Sequence, residues 1–115
     1  MTIEFRPPRL PEEAALRDLF TEAFGDAGFT DLIFRTGYGP ERCLVACYGS
    51  LLAALHWFDC SLDGKKAAYI YGVAAFQRCR GRGIGSGLIR AAIDHLQGLG
   101  YAVITLVTAE EGLFP

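Results

Sequence analysis

The sequence predicts one α/β domain in which helices cover both faces of a mixed central β-sheet. Its 115 residues suit a single domain, and 51% hydrophobic against 21% charged residues supply enough apolar material for one core. The hydrophobic patterns follow one another in the order β-α-α-β-β-β-α-β. Most predicted strands are apolar on both faces, which indicates a sheet that is buried on both sides.

A short strand and two helices form the first part of the predicted domain. Residues 2–6 have strand character and lead into the proline-rich turn PPRLP. Pro11 suits the first position of a helix, and Gly25 suits its end. A second, shorter helix is expected over residues 29–35. The apolar stripe of the first helix consists of Leu16, Leu19, Phe20, Ala23 and Phe24.

Three strands, a helix and a final strand make up the rest of the chain. CLVACY and LLAALHWFDC, joined by Gly49-Ser50, predict an antiparallel hairpin, and AAYIYGVAAF predicts a third strand after the turn LDGKK. Residues 87–99 predict an amphipathic helix that ends near Gly98, and YAVITLV predicts the last strand. The strands on either side of this helix should be parallel neighbours, because a βαβ crossover joins them.

Charge and cysteine usage narrow the partners and the compartment. The net charge of -2 gives no long-range attraction to nucleic acid or membranes, so neither is an expected partner. The four cysteines form no CxxC pair and no Cys/His cluster with zinc spacing, so no metal is expected. The sequence has no signal-peptide core and no run of roughly 18 apolar residues. A reduced, cytoplasmic location is therefore the expectation.

The stretch RCRGRGIGSG, residues 78–87, carries the clearest functional signal. It lies between a predicted strand and a predicted helix, where helix amides lack partners and the helix dipole attracts anions. Glycines let the backbone approach a ligand, and the arginines add positive charge. A phosphate or diphosphate is the expected ligand. The patterns GxxxxGK(S/T) and GxGxxG are both absent, and a glycine-rich turn with solvated arginines is the alternative.

The run Arg80-Gly81-Arg82-Gly83-Ile84-Gly85 resembles the acyl-CoA-binding motif (R/Q)xxGxG(A/G) of the GNAT superfamily N-acetyltransferases. The preceding strand YIYGVAAF and its distance from the loop also look like those of the family. The element order is similar along the whole chain, and residues 69–88 carry the specific part of the likeness. The resemblance implies the GNAT acyltransferase fold, with acetyl-CoA as co-substrate and an amine of a small molecule or protein as acceptor.

The resemblance also implies a set of binding residues. In this family the loop amides hold the diphosphate of CoA, and the pantetheine arm pairs with a bulged strand just before the loop. The positions implied here are Val73, Ala74, Ala75, Arg80, Gly81, Arg82, Gly83, Ile84, Gly85 and Ser86. Gly72 fits independently, because glycine inside an apolar strand often marks a bulge or a close backbone approach. A small residue beneath a bulky neighbour is the alternative for Gly72.

The catalytic residues stay unassigned at this point. The resemblance implies that a neutral amine attacks the thioester carbonyl, while backbone amides of the bulged strand stabilise the oxyanion. Many relatives carry a glutamate base on that strand, but residues 69–76 contain no carboxylate. The candidate bases elsewhere are Asp59, His56, Glu110, or a water held by Tyr69 or Tyr71. His56 lies between Leu55 and Trp57, which favours a structural role for it.

The end of the sequence departs from the family pattern. Relatives continue with a helix and two more strands, and a tyrosine near that helix often acts as general acid. Here the sequence ends at EEGLFP, so the domain is expected to be incomplete at its C-terminus. A fragment, a naturally short version and completion by another chain are the alternatives. Because the last strand would present an apolar edge, self-association as a homodimer is expected to shield it.

Two functions therefore compete. One is an N-acetyltransferase that uses acetyl-CoA, and the other is a non-catalytic acyl-CoA-binding module completed by another chain. The missing strand carboxylate and the missing acid position favour the module, whereas the loop suits both.

Overall fold

The computed structural model describes residues 2–25 and 27–106. Within them the elements follow the predicted order. They are β1 (Glu4–Arg6), α1 (Glu13–Phe24), α2 (Ala27–Thr36), β2 (Cys43–Tyr48), β3 (Ser50–Leu62), β4 (Lys65–Ala75), α3 (Ile84–Gly98) and β5 (Val103–Leu106). Short 3-10 turns at Leu10–Glu12, Pro40–Arg42 and Gln77–Cys79 connect some of them.

The five described strands form one sheet in the order β1-β2-β3-β4-β5. Neighbours from β1 to β4 are antiparallel, and β4 and β5 are parallel, as the βαβ crossover through α3 predicts. The mixed sheet and the parallel pair are therefore confirmed. Among the described residues, β5 pairs with the first part of β4, from Ala67–Val103 to Ile70–Leu106.

Both faces of the sheet are covered, as the apolar strands predict. On one face, α3 buries Leu88, Ala92 and Leu96 against β2, β3 and β4, with Trp57 at the centre. On the other face, α1 packs Leu16 and its neighbours on β2, on the start of β3 and on the end of β4. Alternating residues of one strand therefore belong to different cores, and the two faces of the domain can serve different ligands.

The start of α1 is tied to the edge strand β1 by a partly buried ion pair. The Arg6 guanidinium donates two hydrogen bonds of 2.8 Å to the Glu12 carboxylate, which also accepts the Arg9 amide at 2.7 Å. The Arg6 hydrogen bonds lower the pKa of Glu12 to about 2, although burial opposes this shift. At the other end, Gly25 stops α1 in the left-handed region with φ of 70°, as predicted.

Several boundaries differ from the prediction; for instance, α1 begins at Glu13, after a 3-10 turn that contains Pro11. The β3–β4 hairpin extends to Leu62 and Lys65, because Asp63 and Gly64 both take positive φ and form a tight turn. Helix α3 begins at Ile84, three residues before the predicted start at Gly87. Ile84 is 5% exposed, so its burial in the core outweighs the poor helix propensity of the glycines that follow.

Candidate functional site

The loop between β4 and α3 turns sharply into the helix at two glycines. Gly81 and Gly83 have φ of 79° and 72°, a region that side chains with a Cβ rarely occupy. Gly83 is the N-cap of α3, and no side chain caps the helix there. The first amides of α3, at Ile84, Gly85 and Ser86, therefore point out of the helix start as donors for an anion.

The space around this helix start is open. A Cβ built at Gly81, Gly83 or Gly85 would meet no protein atom within 4 Å. By contrast, a Cβ at Gly87 would lie 3.2 Å from Cζ of Phe5, so packing against β1 explains that glycine. Gly85 has neither a positive φ nor a close protein neighbour to explain it. A ligand that approaches the backbone would explain it, which makes this surface suited to a diphosphate.

Strand β4 changes its pairing just before the loop. Its register with β3 shifts between His56–Gly72 and Trp57–Ile70, so Tyr71 is the extra residue of a β-bulge. Gly72 is thus adjacent to a bulge, as its position in an apolar strand predicts. Among the described residues, β5 pairs with β4 only before this bulge. The part of β4 that follows it has a described strand neighbour on one side alone.

The alternation of hydrogen bonds between β3 and β4 determines which backbone groups of β4 face away from β3. The Phe76 amide donates to the Leu52 carbonyl at 3.1 Å, which makes Ala53–Ala75 a non-hydrogen-bonded pair. Ala74 therefore exchanges its hydrogen bonds with β3, whereas Val73 and Ala75 direct their amide and carbonyl groups away from β3. An extended ligand beside β4 would meet these two residues.

The arginines of the loop are placed differently from one another. Arg78 stacks on Phe76 at 4.4 Å and donates to the Leu51 carbonyl, so it lies against the protein. The Arg80 Nε donates to the outward carbonyl of Ala75 at 3.3 Å. The backbone amide of Arg80 donates to the Gln77 carbonyl at 3.2 Å. Arg82 is exposed. Within residues 2–25 and 27–106 none of the three has a carboxylate partner, so their charge is available to an anion.

One acidic group near the loop carries no local signal in the sequence. Glu22, on α1, accepts a hydrogen bond of 3.3 Å from the Gln77 amide, 55 residues away along the chain. Its negative charge therefore lies at the base of the loop in which the sequence predicts an anion site. Ser86 departs from the acyl-CoA-binding motif that the loop resembles, because the last position of that motif carries alanine or glycine.

The structure separates the candidate bases from one another. Asp59 accepts a hydrogen bond from the Tyr101 hydroxyl and pairs in register with Ala68, in the half of β4 far from the loop. Burial, and then this hydrogen bond, raise the pKa of Tyr101. Asp59 is thus removed from the loop. Glu110 and the side chain of Tyr71 lie outside the described residues. Tyr69 is 36% exposed and pairs with Phe58.

His56 lies near the bulge but is not placed to act as a base. It is fully buried, and its Nε2 accepts a hydrogen bond of 3.0 Å from the Gly39 amide. Burial lowers its pKa to about 4, with Arg42 adding to the shift. The ring is therefore neutral at neutral pH, with Nε2 engaged as an acceptor, in line with the structural role that its neighbours in the sequence favour.

A groove of about 330 Å³ lies between α3 and β5. Its walls include Ile89, Ile93, Ile104 and Leu106, and none of the described residues that line it is charged. The groove therefore suits apolar contact and not the diphosphate. No group of three or more His, Cys, Asp or Glu residues in the described part of the chain is arranged to hold a metal ion. None of its helices has the length and apolar character needed to cross a membrane.

Comparison with known proteins gives a consistent picture. The family model described as the acetyltransferase (GNAT) family matches residues 12–113. A search of curated sequences finds no match. The fold is similar to a GNAT family acetyltransferase from Brucella melitensis in complex with acetyl-CoA, with a TM-score of 0.76 and 21% identity, covering 96% of this chain and 78% of that one.

Two further structures share the fold. A transcriptional regulator from Bacillus halodurans C-125 has a TM-score of 0.75 at 20% identity, covering 95% of this chain and 83% of that one. A ribosomal-protein-alanine N-acetyltransferase from Brucella melitensis biovar Abortus 2308 has a TM-score of 0.73 at 16% identity, covering 91% and 79%.

Proposed function

The chain belongs to the GNAT acetyltransferase family, and from that premise we propose that it transfers the acetyl group of acetyl-CoA to an amine of a small molecule or protein. The observation that carries the proposal is the open start of α3. Uncapped amides, glycines without packing constraints and unpaired loop arginines occur together there. A solvent-exposed turn without a ligand does not require glycine at position 85. The combination therefore favours the diphosphate of CoA over the solvated turn.

The second support is the outward backbone of β4. Pantetheine carries two amide groups in an extended chain, and these can pair with a strand segment that has a described neighbour on one side alone. Val73 and Ala75 direct their backbone groups to that side, and Ala75 also accepts from Arg80. A pantetheine arm beside Val73 would bring the thioester to the level of the bulge, where the Val73 amide is a donor for the developing oxyanion.

The chemistry asked of the protein is largely positioning. Acetyl-CoA supplies an activated thioester; the amine nitrogen forms the new bond to its carbonyl carbon, and the CoA sulfur leaves. The amine loses one proton, and the sulfur can take one up. Holding both reactants in one geometry can contribute several kcal/mol without a dedicated acid or base. This is consistent with a β4 strand that carries no carboxylate.

Acetyl-CoA binding is the first test. Calorimetry with acetyl-CoA should give a 1:1 isotherm, and the melting temperature should rise with ligand concentration by mass action. NAD and ATP are the controls, because both carry phosphates but lack pantetheine. Binding of ATP as tight as that of acetyl-CoA would reduce the loop to a general phosphate site and refute the assignment.

Release of free thiol from acetyl-CoA in the presence of a panel of primary amines is the second test. Amine-dependent release is expected of the acetyltransferase. Binding of acetyl-CoA without turnover of any amine would favour the second candidate, a non-catalytic acyl-CoA-binding module, which is supported by the lack of a carboxylate in residues 69–76.

A further inference from the structure

The connection between α2 and β2, residues 37–42, is docked on β3 by two contacts and held together internally by a third. A Cβ at Gly37 would lie 2.5 Å from a ring carbon of Phe58, so that glycine allows close packing. The Arg42 guanidinium donates to the Gly37 carbonyl at 3.0 Å. The Gly39 amide donates to His56 Nε2 at 3.0 Å in a buried environment. The connection is therefore attached to the middle of β3.

His56 is a buried polar side chain with a defined task in this arrangement. Its ring lies between aromatic neighbours, with centroids 5.6 Å from Tyr38 and 5.4 Å from Phe58. Since Nε2 accepts a hydrogen bond, the neutral ring carries its proton on Nδ1. Without His56, the buried Gly39 amide would lose its acceptor, at the cost of an unsatisfied donor.

The position of His56 relates this contact to the proposed reaction. His56 pairs with Gly72, next to the bulge at which the thioester is expected. Helix α3 covers the other face of the sheet, where Leu55 and Trp57 are buried. On the opposite face α1 covers β2, the start of β3 and the end of β4, and the α2–β2 connection is docked on that face at the level of the bulge, beside the expected thioester.

We infer that His56 is a positioning residue for the acceptor amine: by holding the Gly39 amide, it fixes the α2–β2 connection as one wall of the acceptor site. This inference rests on the proposed acetyl transfer. It assigns His56 no contact with acetyl-CoA and no role as a base.

Two substitutions of His56 separate hydrogen bonding from packing. His56→Gln keeps an oxygen acceptor at a similar reach, whereas His56→Leu keeps apolar volume and removes the acceptor. Steady-state acetylation is measured with an alanyl peptide, kanamycin, spermidine and tryptamine as acceptors, and acetyl-CoA binding is measured by calorimetry. His56→Leu should raise the acceptor KM by about tenfold, with kcat and the acetyl-CoA Kd changed by less than about twofold. His56→Gln should keep the acceptor KM close to that of the wild-type protein.

Leu55→Ala is the matched control, because Leu55 is buried beside His56 on the opposite face. It should lower the melting temperature without changing the acceptor KM. If His56→Leu does not fold, Arg42→Ala tests the connection as a wall of the acceptor site, since it removes the hydrogen bond to the Gly37 carbonyl inside the connection and should also raise the acceptor KM.

The inference is overturned if His56→Leu or Arg42→Ala leaves the acceptor KM unchanged, or if Leu55→Ala raises it equally. The proposed function itself is refuted if the wild-type protein binds acetyl-CoA but acetylates none of the amines, or if it does not bind acetyl-CoA at all.

Discussion

Replacing Gly85 with alanine should stabilise the fold and weaken CoA binding in the same molecule. Gly85 lies in the first turn of α3 with helical φ, and a Cβ there would meet no protein atom within 4 Å. The methyl group therefore costs the protein nothing sterically, and it reduces the conformational freedom of the unfolded chain. It does, however, occupy the surface on which the diphosphate is expected to lie.

The two effects have different sizes. Glycine to alanine within a helix is worth about 0.5 to 1 kcal/mol, which for a domain of this length is a rise in Tm of about 3 °C. Loss of close contact between the diphosphate and the helix amides should weaken CoA binding by at least about tenfold, or ~1.4 kcal/mol. Thermal unfolding and calorimetry with CoA measure the two quantities separately.

Gly98 provides the matched control in the same helix. A Cβ at Gly98 also meets nothing within 4 Å, and Gly98 lies about 20 Å from Gly85 along the axis, from about 1.5 Å per residue. Gly98→Ala should raise Tm without changing CoA binding. Gly87→Ala is not a suitable control, because the contact of its added carbon with Cζ of Phe5 at 3.2 Å opposes the gain in helix propensity.

Unchanged CoA affinity in Gly85→Ala, together with the rise in Tm, would refute the reasoning. The surface would then be open but not used by the ligand. A fall in both Tm and affinity would also count against it, because the loss of binding could then follow from damage to α3.

Four other outcomes are expected. The folded state lowers the pKa of His56 from 6.5 to about 4 and that of Glu12 from 4.5 to about 2, so the unfolded chain takes up these protons first. In urea unfolding, the free energy of unfolding should fall by about 3 kcal/mol between pH 6.5 and 4 as His56 titrates. It should fall further between pH 4.5 and 2 as Glu12 titrates. His56→Gln should remove the fall between pH 6.5 and 4. Asp59→Asn should leave amine-dependent thiol release unchanged, since Asp59 is bound to Tyr101 far from the loop. Glu22→Gln should tighten CoA binding about twofold at low salt, an effect that high salt abolishes, because one negative charge leaves the base of the loop. Leu88→Ala, at a fully buried position of α3, should cost about 2–5 kcal/mol in denaturant unfolding.

Local patterns in the sequence predict most of the fold. The strand Cys43–Tyr48 and the helix end at Gly25 depend on neighbouring residues, so periodicity and turn chemistry place them correctly. The start of α3 is different, since glycines at positions 85 and 87 have the local character of a loop. Burial of Ile84 decides that boundary, and burial depends on the rest of the fold.

The candidate site is likewise predictable from the sequence only in part. The loop is visible in the sequence because its glycines and arginines are consecutive. The contacts of Glu22 with Gln77 and of His56 with Gly39 join residues 55 and 17 positions apart. They depend on strand register and helix packing, which residue types alone do not determine. The outward direction of Val73 likewise follows from the register of β3 and β4.

The bulge at Tyr71 divides β4 into two segments under different constraints. Residues Ala67–Ile70 have strands on both sides and contribute to the core, whereas Val73–Ala75 have a described strand on one side. The side chains of the second segment still pack on the core, with Ala74 buried, while the amide and carbonyl groups of Val73 and Ala75 point away from β3. Recognition through these main-chain groups would therefore survive any side-chain substitution that the core tolerates.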